Sequence, residues 1–150
     1  MRRALDHLSL LTRTNFKMAN TPPPFPSILI VDDIPYIRLY FRVALESFGH
    51  QCEEASHGLD AIGKLHNRHY DVVLTDVQMP HLDGFELAKC LKEDPSLGSP
   101  IVLMMTASNT DLLAPLAQAA GVRKIFAKPC HPVVIHQEIM DIRQRFPTAA

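Results

Sequence analysis

An α/β fold built around a parallel sheet is what this sequence predicts, and three observations predict it. Short apolar runs alternate with helix-length stretches five times between Ser27 and Arg145, the pattern of repeated strand–helix units. The central runs, residues 28–31, 72–74 and 101–105, are continuously apolar, as strands covered on both faces should be. Each of these runs closes on polar residues, Asp32 with Asp33, Asp76 after Thr75, and Thr106, and in such sheets the carboxyl ends of the strands are where ligands bind.

Taken in order, the first strand is expected over 27–31 and the first helix over 35–48. Pro35 suits the first helical turn, where its missing N–H is not needed, and Gly49 suits the stop. At 100° per residue Ile37, Phe41, Ala44, Leu45 and Phe48 share a core-facing side, while Tyr36, Leu39, Tyr40 and Val43 fall largely on another. The second strand and helix are expected over 51–55 and 58–67, the third pair over 72–75 and 84–93, with Asp83 shaping the loop before the third helix, and the fourth strand over 101–105. The fourth helix, ending near Ala120, contains Pro115. An interior proline costs about 3 kcal/mol because it removes an N–H and clashes with the preceding turn. This helix is therefore expected to start late, with Pro115 in its first turn, or to kink, leaving Leu112 and Leu113 in a mobile segment after Thr106. The fifth strand is expected over 124–127 and the fifth helix over 132–145.

The 150 residues suffice for one domain with a real core. A domain over 27–146 is expected, preceded by a disordered extension over 1–26 and followed by a short tail over 147–150; Met18 marks residues 1–17 as an upstream-start extension. A net charge of -1 gives no electrostatic case for direct nucleic-acid binding. Cys52, Cys90 and Cys130 lie far apart without CxxC spacing, which suggests neither a zinc site nor a disulfide framework. No apolar run is long enough to cross a bilayer, and Asp6, His7, Ser9, Thr12 and Arg13 interrupt any signal-peptide core. A cytoplasmic protein without membrane insertion is the expectation.

Neighbouring parallel strands would bring Asp32, Asp33, Asp76, Thr106 and, after a further run, Lys128 to one edge of the sheet. Magnesium wants hard oxygen ligands and keeps several waters, so a few carboxylates suffice to hold it. Aspartate can attack phosphorus and carry an acyl phosphate, which casts Asp76 as the nucleophile. Lys128 would neutralise charge during transfer and Thr106 would donate its hydroxyl to a phosphoryl oxygen. Singly, each has an ordinary alternative: a helix cap or turn former for Asp33, Asp76 or Thr106, and a solvated loop charge for Lys128. The coincidence of all five positions favours the site.

At these residues the chain resembles a response-regulator receiver domain of two-component signalling. The stretches that carry the resemblance are Leu29-Ile30-Val31-Asp32-Asp33, residues 71–80 around Asp76, Leu82-Asp83-Gly84-Phe85-Glu86, Met105-Thr106-Ala107, and Ala120-Gly121 followed by Ala127-Lys128-Pro129. The resemblance runs from about Ser27 to Phe146, and all five together are specific. It implies a flavodoxin-like doubly wound five-stranded parallel sheet, order 2-1-3-4-5, with five helices. It further implies a stand-alone receiver that accepts phosphate on Asp76 from a histidine kinase or histidine phosphotransfer protein. Mg2+ (or Mn2+) would be held by Asp32, Asp33, Asp76 and the backbone carbonyl of Gln78, with Asp32 acting partly through water, and Lys128-Pro129 resembles the family's cis peptide. The output would be protein–protein interaction or phosphorelay to an unknown downstream target. It would not be turnover of external substrates.

Two alternatives remain open. A pseudo-receiver would keep the fold as an interaction module without phosphorylation, which the complete set of site residues opposes. A phosphohydrolase would need a second carboxylate two residues after its nucleophile, where Gln78 stands. Gln78 and Ser108 occupy the positions that tune acyl-phosphate hydrolysis in the family, and an amide with a small hydroxyl implies an intermediate lifetime. Ile125 replaces the aromatic residue that rotates on activation in many relatives, so signalling is expected to move Thr106 and residues 107–114 instead. Arg123 and Lys124 would give the last strand a positive edge. His81 and His131 read as surface residues beside the site. Tyr36, Leu39, Tyr40 and Val43, with Ile34 beside the acid pair, read as a docking patch, although Tyr36 and Tyr40 could instead pack under loops.

Overall fold

A computed structural model describes residues 24–145. The elements are β1 (Ser27–Val31), α1 (Pro35–Ser47), β2 (Gln51–Ala55), α2 (Gly58–Asn67), β3 (Val72–Asp76), α3 (Gly84–Glu93), a 3-10 turn (Pro95–Leu97), β4 (Ile101–Thr106), α4 (Thr110–Ala120), β5 (Lys124–Ala127) and α5 (Pro132–Arg145). All strands are parallel, in the order β2-β1-β3-β4-β5. The expected doubly wound sheet and its five helices are thus what forms.

Strand parity sorts the core into two layers, because successive side chains point to opposite faces. Leu29, Val31, Val73, Val102 and Met104 pack beneath Ala61 and Leu65 of α2 and Leu87, Ala88 and Leu91 of α3. Ile28, Ile30, Leu74, Leu103 and Met105 pack against Phe41 and Leu45 of α1 and Ile135, Ile139 and Ile142 of α5. Ile125 belongs with the first layer and Phe126 with the second, the opposition expected for neighbours in a strand. Each fully buried aliphatic side chain contributes about 1.5–3 kcal/mol relative to exposure, so both faces of β1, β3 and β4 hold the ladder in register.

That register carries two strands further than the apolar runs suggest. β3 includes Asp76, paired with Met105, and β4 includes Thr106, paired with Ala127. Both polar residues therefore sit on ordered sheet backbone rather than in loops.

Residues 24–26, the end of the expected extension, are among the described residues. Phe25 packs edge-on against the His50 ring at 5.6 Å, the Pro26 carbonyl meets His50 Nδ1 at 2.9 Å, and the Pro24 carbonyl accepts from Arg143 of α5. His50 Nε2 in turn lies 2.9 Å from His136 Nδ1, and His136 stacks on Phe48. An aromatic plug thus ties the lead-in to α1, β2 and α5. The expectations for residues 1–23 and 146–150 lie outside the described residues.

The late start expected of α4, with Pro115 in its first turn, does not occur. The helix begins at Thr110, capped by the Asn109 side chain, which accepts from the Asp111 N–H at 2.9 Å, and it carries Pro115 in its interior. Leu112 and Leu113 are helical, and the segment after Thr106 shrinks to residues 107–109. Asp111 and Pro115 are both exposed, so water can take the carbonyl bond that the proline leaves unmade. Gly121 closes the helix at a φ of 79°, a left-handed conformation that suits glycine. Replacing Pro115 by alanine restores the missing N–H while loosening the unfolded chain slightly. Pro115→Ala should therefore raise stability by about 2 kcal/mol, read as a higher urea midpoint with an unchanged slope.

Candidate functional site

The carboxyl edge of the sheet gathers the sequence-selected residues from β1, β3, β4 and the β5–α5 loop. Asp32 follows β1 and is wholly buried, Asp76 ends β3 and is nearly so, and Asp33 is exposed at the rim. One carboxylate oxygen from each of the three lies within 4.8 Å of the others. Lys128 Nζ reaches into the cluster, 3.3 Å from Asp76 Oδ1 and 3.6 Å from Asp32 Oδ2. The Lys128–Pro129 bond is cis, and the Lys128 N–H donates to the Thr106 carbonyl at 2.7 Å. Thr106 is buried at the end of β4, and its hydroxyl accepts from the Ser108 N–H at 3.0 Å.

Asp32 is the most constrained of the acids. Its Oδ1 accepts from the Ile34 N–H at 2.9 Å, and its carbonyl accepts from Arg38 Nη1 at 2.6 Å. Its Oδ2 is buried without a hydrogen-bond donor and faces Lys128. Burial pushes the Asp32 carboxyl above the ordinary carboxylate range; the Ile34 N–H and Lys128 oppose the rise, and the Asp76 and Asp33 charges add to it. With all three acids ionised, one lysine leaves an excess of two negative charges. A divalent cation matches that excess, and the orphaned Asp32 oxygen matches its demand for oxygen ligands. The residues present therefore fit a magnesium-like ion.

The backbone around Asp76 is held at close quarters. The Val77 N–H donates to the Met105 carbonyl at 3.1 Å, and the Gly84 N–H donates to the Val77 carbonyl at 2.8 Å. A Cβ at Gly84 would stand 2.3 Å from the Asp76 carbonyl oxygen, so only glycine lets α3 start there. Asp83 caps α3 through a reciprocal pair with Glu86, each bond 2.8 Å, the loop-shaping role expected of it. Asp33, Gln78 and Asp83 share, with Val77, Met79, Pro80 and Phe85, the lining of an open cavity of about 610 Å3 beside the cluster. Gln78 and Ser108 are exposed.

His81 and His131 are surface residues. His131 accepts from the Val133 N–H at 3.1 Å, while His81 takes a φ of 70°. The three cysteines are half-buried free thiols. Lys124 forms an ion pair with Glu138 at 2.9 Å, which engages part of the positive edge expected on β5. The expectation for α1 divides cleanly: Phe41 and Leu45 are buried, whereas Tyr36, Leu39, Tyr40 and Val43 are all exposed, at 69, 48, 49 and 58%. Packing of Tyr36 and Tyr40 under loops is thereby excluded. Sequence reasoning missed Arg38, and it named Gly84 only as part of a motif, without its close approach to the Asp76 carbonyl. Nothing local marked Arg38, which is held by Glu54 of another element.

Comparison with known proteins agrees with this geometry. The family described as the response regulator receiver domain matches residues 28–140. A gliding motility regulatory protein of Myxococcus xanthus is 40% identical over 85 residues, which is 56% of this chain and 11% of that protein. The sensor histidine kinase RcsC of Escherichia coli K12 is 35% identical over 121 residues, 79% of this chain and 12% of that protein. The chain thus spans only a small part of these relatives' length. Among solved structures, the Vibrio cholerae chemotaxis protein CheY4 superposes with a TM-score of 0.73 at 26% identity, covering 79% of this chain and 98% of that one. The signal receiver domain of a Syntrophus aciditrophicus signal transduction histidine kinase gives 0.74 at 27% identity, covering 83% and 95%. Among the described residues, no helix is long and apolar enough to cross a membrane.

Because the pKa of Asp32 is raised on folding, its ionised form subtracts from stability above that pKa. The penalty shrinks as pH falls from the raised value toward the ordinary 3.8 and is gone below it. Asp32→Asn should consequently raise the urea midpoint at pH 7 without divalent ions, and its advantage over the parent chain should narrow on acidification.

Proposed function

The chain belongs to the response regulator receiver domain family, and on that premise we propose that it accepts a phosphoryl group on Asp76 from a histidine kinase or histidine phosphotransfer protein and signals by protein–protein interaction or phosphorelay. The observation that carries this reading is Lys128 Nζ bridging Asp76 and Asp32, with Asp33 completing a carboxylate cluster at the sheet edge.

In the proposed reaction a carboxylate oxygen of Asp76 attacks the phosphorus of a phosphohistidine. The phosphorus–nitrogen bond breaks as the new oxygen–phosphorus bond forms, and the imidazole leaves with the electron pair and takes up a proton. Lys128 offsets charge on the Asp76 side, and the Thr106 hydroxyl can turn from its present acceptor role to donate to a phosphoryl oxygen. Asp32, Asp33, Asp76 and the Gln78 carbonyl would hold Mg2+ or Mn2+, which when bound supplies charge neutralisation at the phosphoryl oxygens. Gln78 is an amide where a phosphohydrolase of this type would place its second carboxylate, which favours a phosphoacceptor over a turnover enzyme. Gln78 and Ser108, exposed at the approach to Asp76, would leave water partial access and give the acyl phosphate an intermediate lifetime. A non-phosphorylated interaction module would have no need of a buried acid without a donor.

The donor would dock on α1. Tyr36, Leu39, Tyr40 and Val43 form an exposed apolar strip beside the acid pair, and contiguous exposed apolar surface marks interaction sites. A partner helix carrying the phosphohistidine fits such a strip.

Incubation with acetyl phosphate and Mg2+ should add one phosphoryl group by intact mass. Asp76→Asn should abolish the addition, and undiminished labelling of that variant would overturn the assignment. Leu39→Asp should slow transfer from the cognate histidine donor about tenfold, a loss of about 1.4 kcal/mol of docking energy, while labelling by acetyl phosphate changes less than about twofold. Equal impairment with both donors would instead make Leu39 structural.

A further inference from the structure

Behind the acid pair lies a half-buried ion network that the reaction as described does not use. Arg38, on the second turn of α1, donates through Nη1 to the Asp32 carbonyl at 2.6 Å and through Nε to Glu54 Oε1 of β2 at 3.1 Å. Glu54 Oε2 is held at 3.2 Å by Arg42 Nη1, and the Arg38 side chain is only 15% exposed. The Asp32 N–H is also fixed, donating to the Ala55 carbonyl at 3.2 Å. The carbonyl that Arg38 grips belongs to the peptide unit joining Asp32 to Asp33.

We propose that Arg38 is a positioning residue for the metal-binding carboxylates. By fixing the plane of the Asp32–Asp33 peptide it sets the direction in which the Asp33 side chain leaves β1. A planar guanidinium suits this task because its donors diverge at fixed angles, so one side chain can grip a carbonyl and a carboxylate on different elements. It does so from behind the strand end, by contacts to the Asp32 carbonyl and to Glu54. Glu54 orients the guanidinium, so β2, α1 and the end of β1 act as one brace. This role deepens the phosphoacceptor reading and rests on its metal site.

The test is Mn2+ binding to the full chain, followed by the electron paramagnetic resonance of free Mn2+, with no phosphodonor present. Arg38→Met, which keeps the apolar stem, should bind Mn2+ about tenfold more weakly. Arg42→Met, which also removes an ion pair to Glu54 but touches no backbone of the site, should stay within about twofold of the parent chain. If Arg38→Met fails to fold, Glu54→Gln carries the test, with about threefold weaker binding expected. Parent-like affinity in Arg38→Met, or in Glu54→Gln where that variant carries the test, overturns the proposal. So does an equal loss in Arg42→Met. A parent chain that binds no Mn2+ overturns the metal reading itself, and this inference with it.

Discussion

Three carboxylates within 4.8 Å of one another repel, and the architecture at the sheet edge is organised around holding them there. Asp32 is buried without a donor to Oδ2, a state that costs free energy unless a positive charge faces it. Lys128 provides that charge from the β5–α5 loop, and its backbone is tied to β4 through the Thr106 carbonyl. The pair thus links the first strand of the sheet to the last. Loss of Lys128 would leave the buried Asp32 charge without a facing cation, so the chemistry of the site and the seating of Asp32 depend on the same contact.

The apolar layers make this tolerable. β1, β3 and β4 are buried on both faces, and a shift of one residue in any of them would swap its two layers. Such a ladder has little freedom to relax away from the acid cluster. Gly84 extends the constraint to α3, whose N-terminus approaches the Asp76 carbonyl too closely for any side chain. On the far side, Phe25, Phe48, His50 and His136 close the opposite end of the α1–α5 layer and anchor the lead-in to β1. Two helix faces that carry exposed apolar side chains lie outside this packing. One is the exposed apolar strip on α1, and the other is α4, where Leu112 and Leu116 are exposed and Pro115 leaves one carbonyl to water.

Alternating apolar runs and helical periodicity were enough to place every strand within a residue; for β1, β3 and β4 this is because burial on both faces imposes a composition that can be read locally. The strand ends at Asp76 and Thr106 were missed by one residue each. Their inclusion depends on a partner strand continuing alongside, which no local pattern records. The split of α1 into a buried and an exposed side was legible from angles alone, since helix geometry fixes it. Pro115 misled as to where α4 begins, because propensity argues for placing it in the first turn, whereas capping by Asn109 sets the start earlier and the exposed proline lies within the helix.

By itself the sequence determined the parallel α/β architecture, the residues that meet at its carboxyl edge and the family whose motifs they match, for these follow from residue type and spacing along one chain. Only the tertiary structure decided that Asp32 keeps an oxygen without a hydrogen-bond donor, that Lys128 reaches both Asp32 and Asp76, and that Arg38 grips the peptide between the two acids. The lysine contacts join elements far apart in sequence, and Arg38, though only six residues from Asp32, is held in place by Glu54 of β2. These contacts are set by the register of the sheet and the seating of helices on its faces, and neither is written in any single segment.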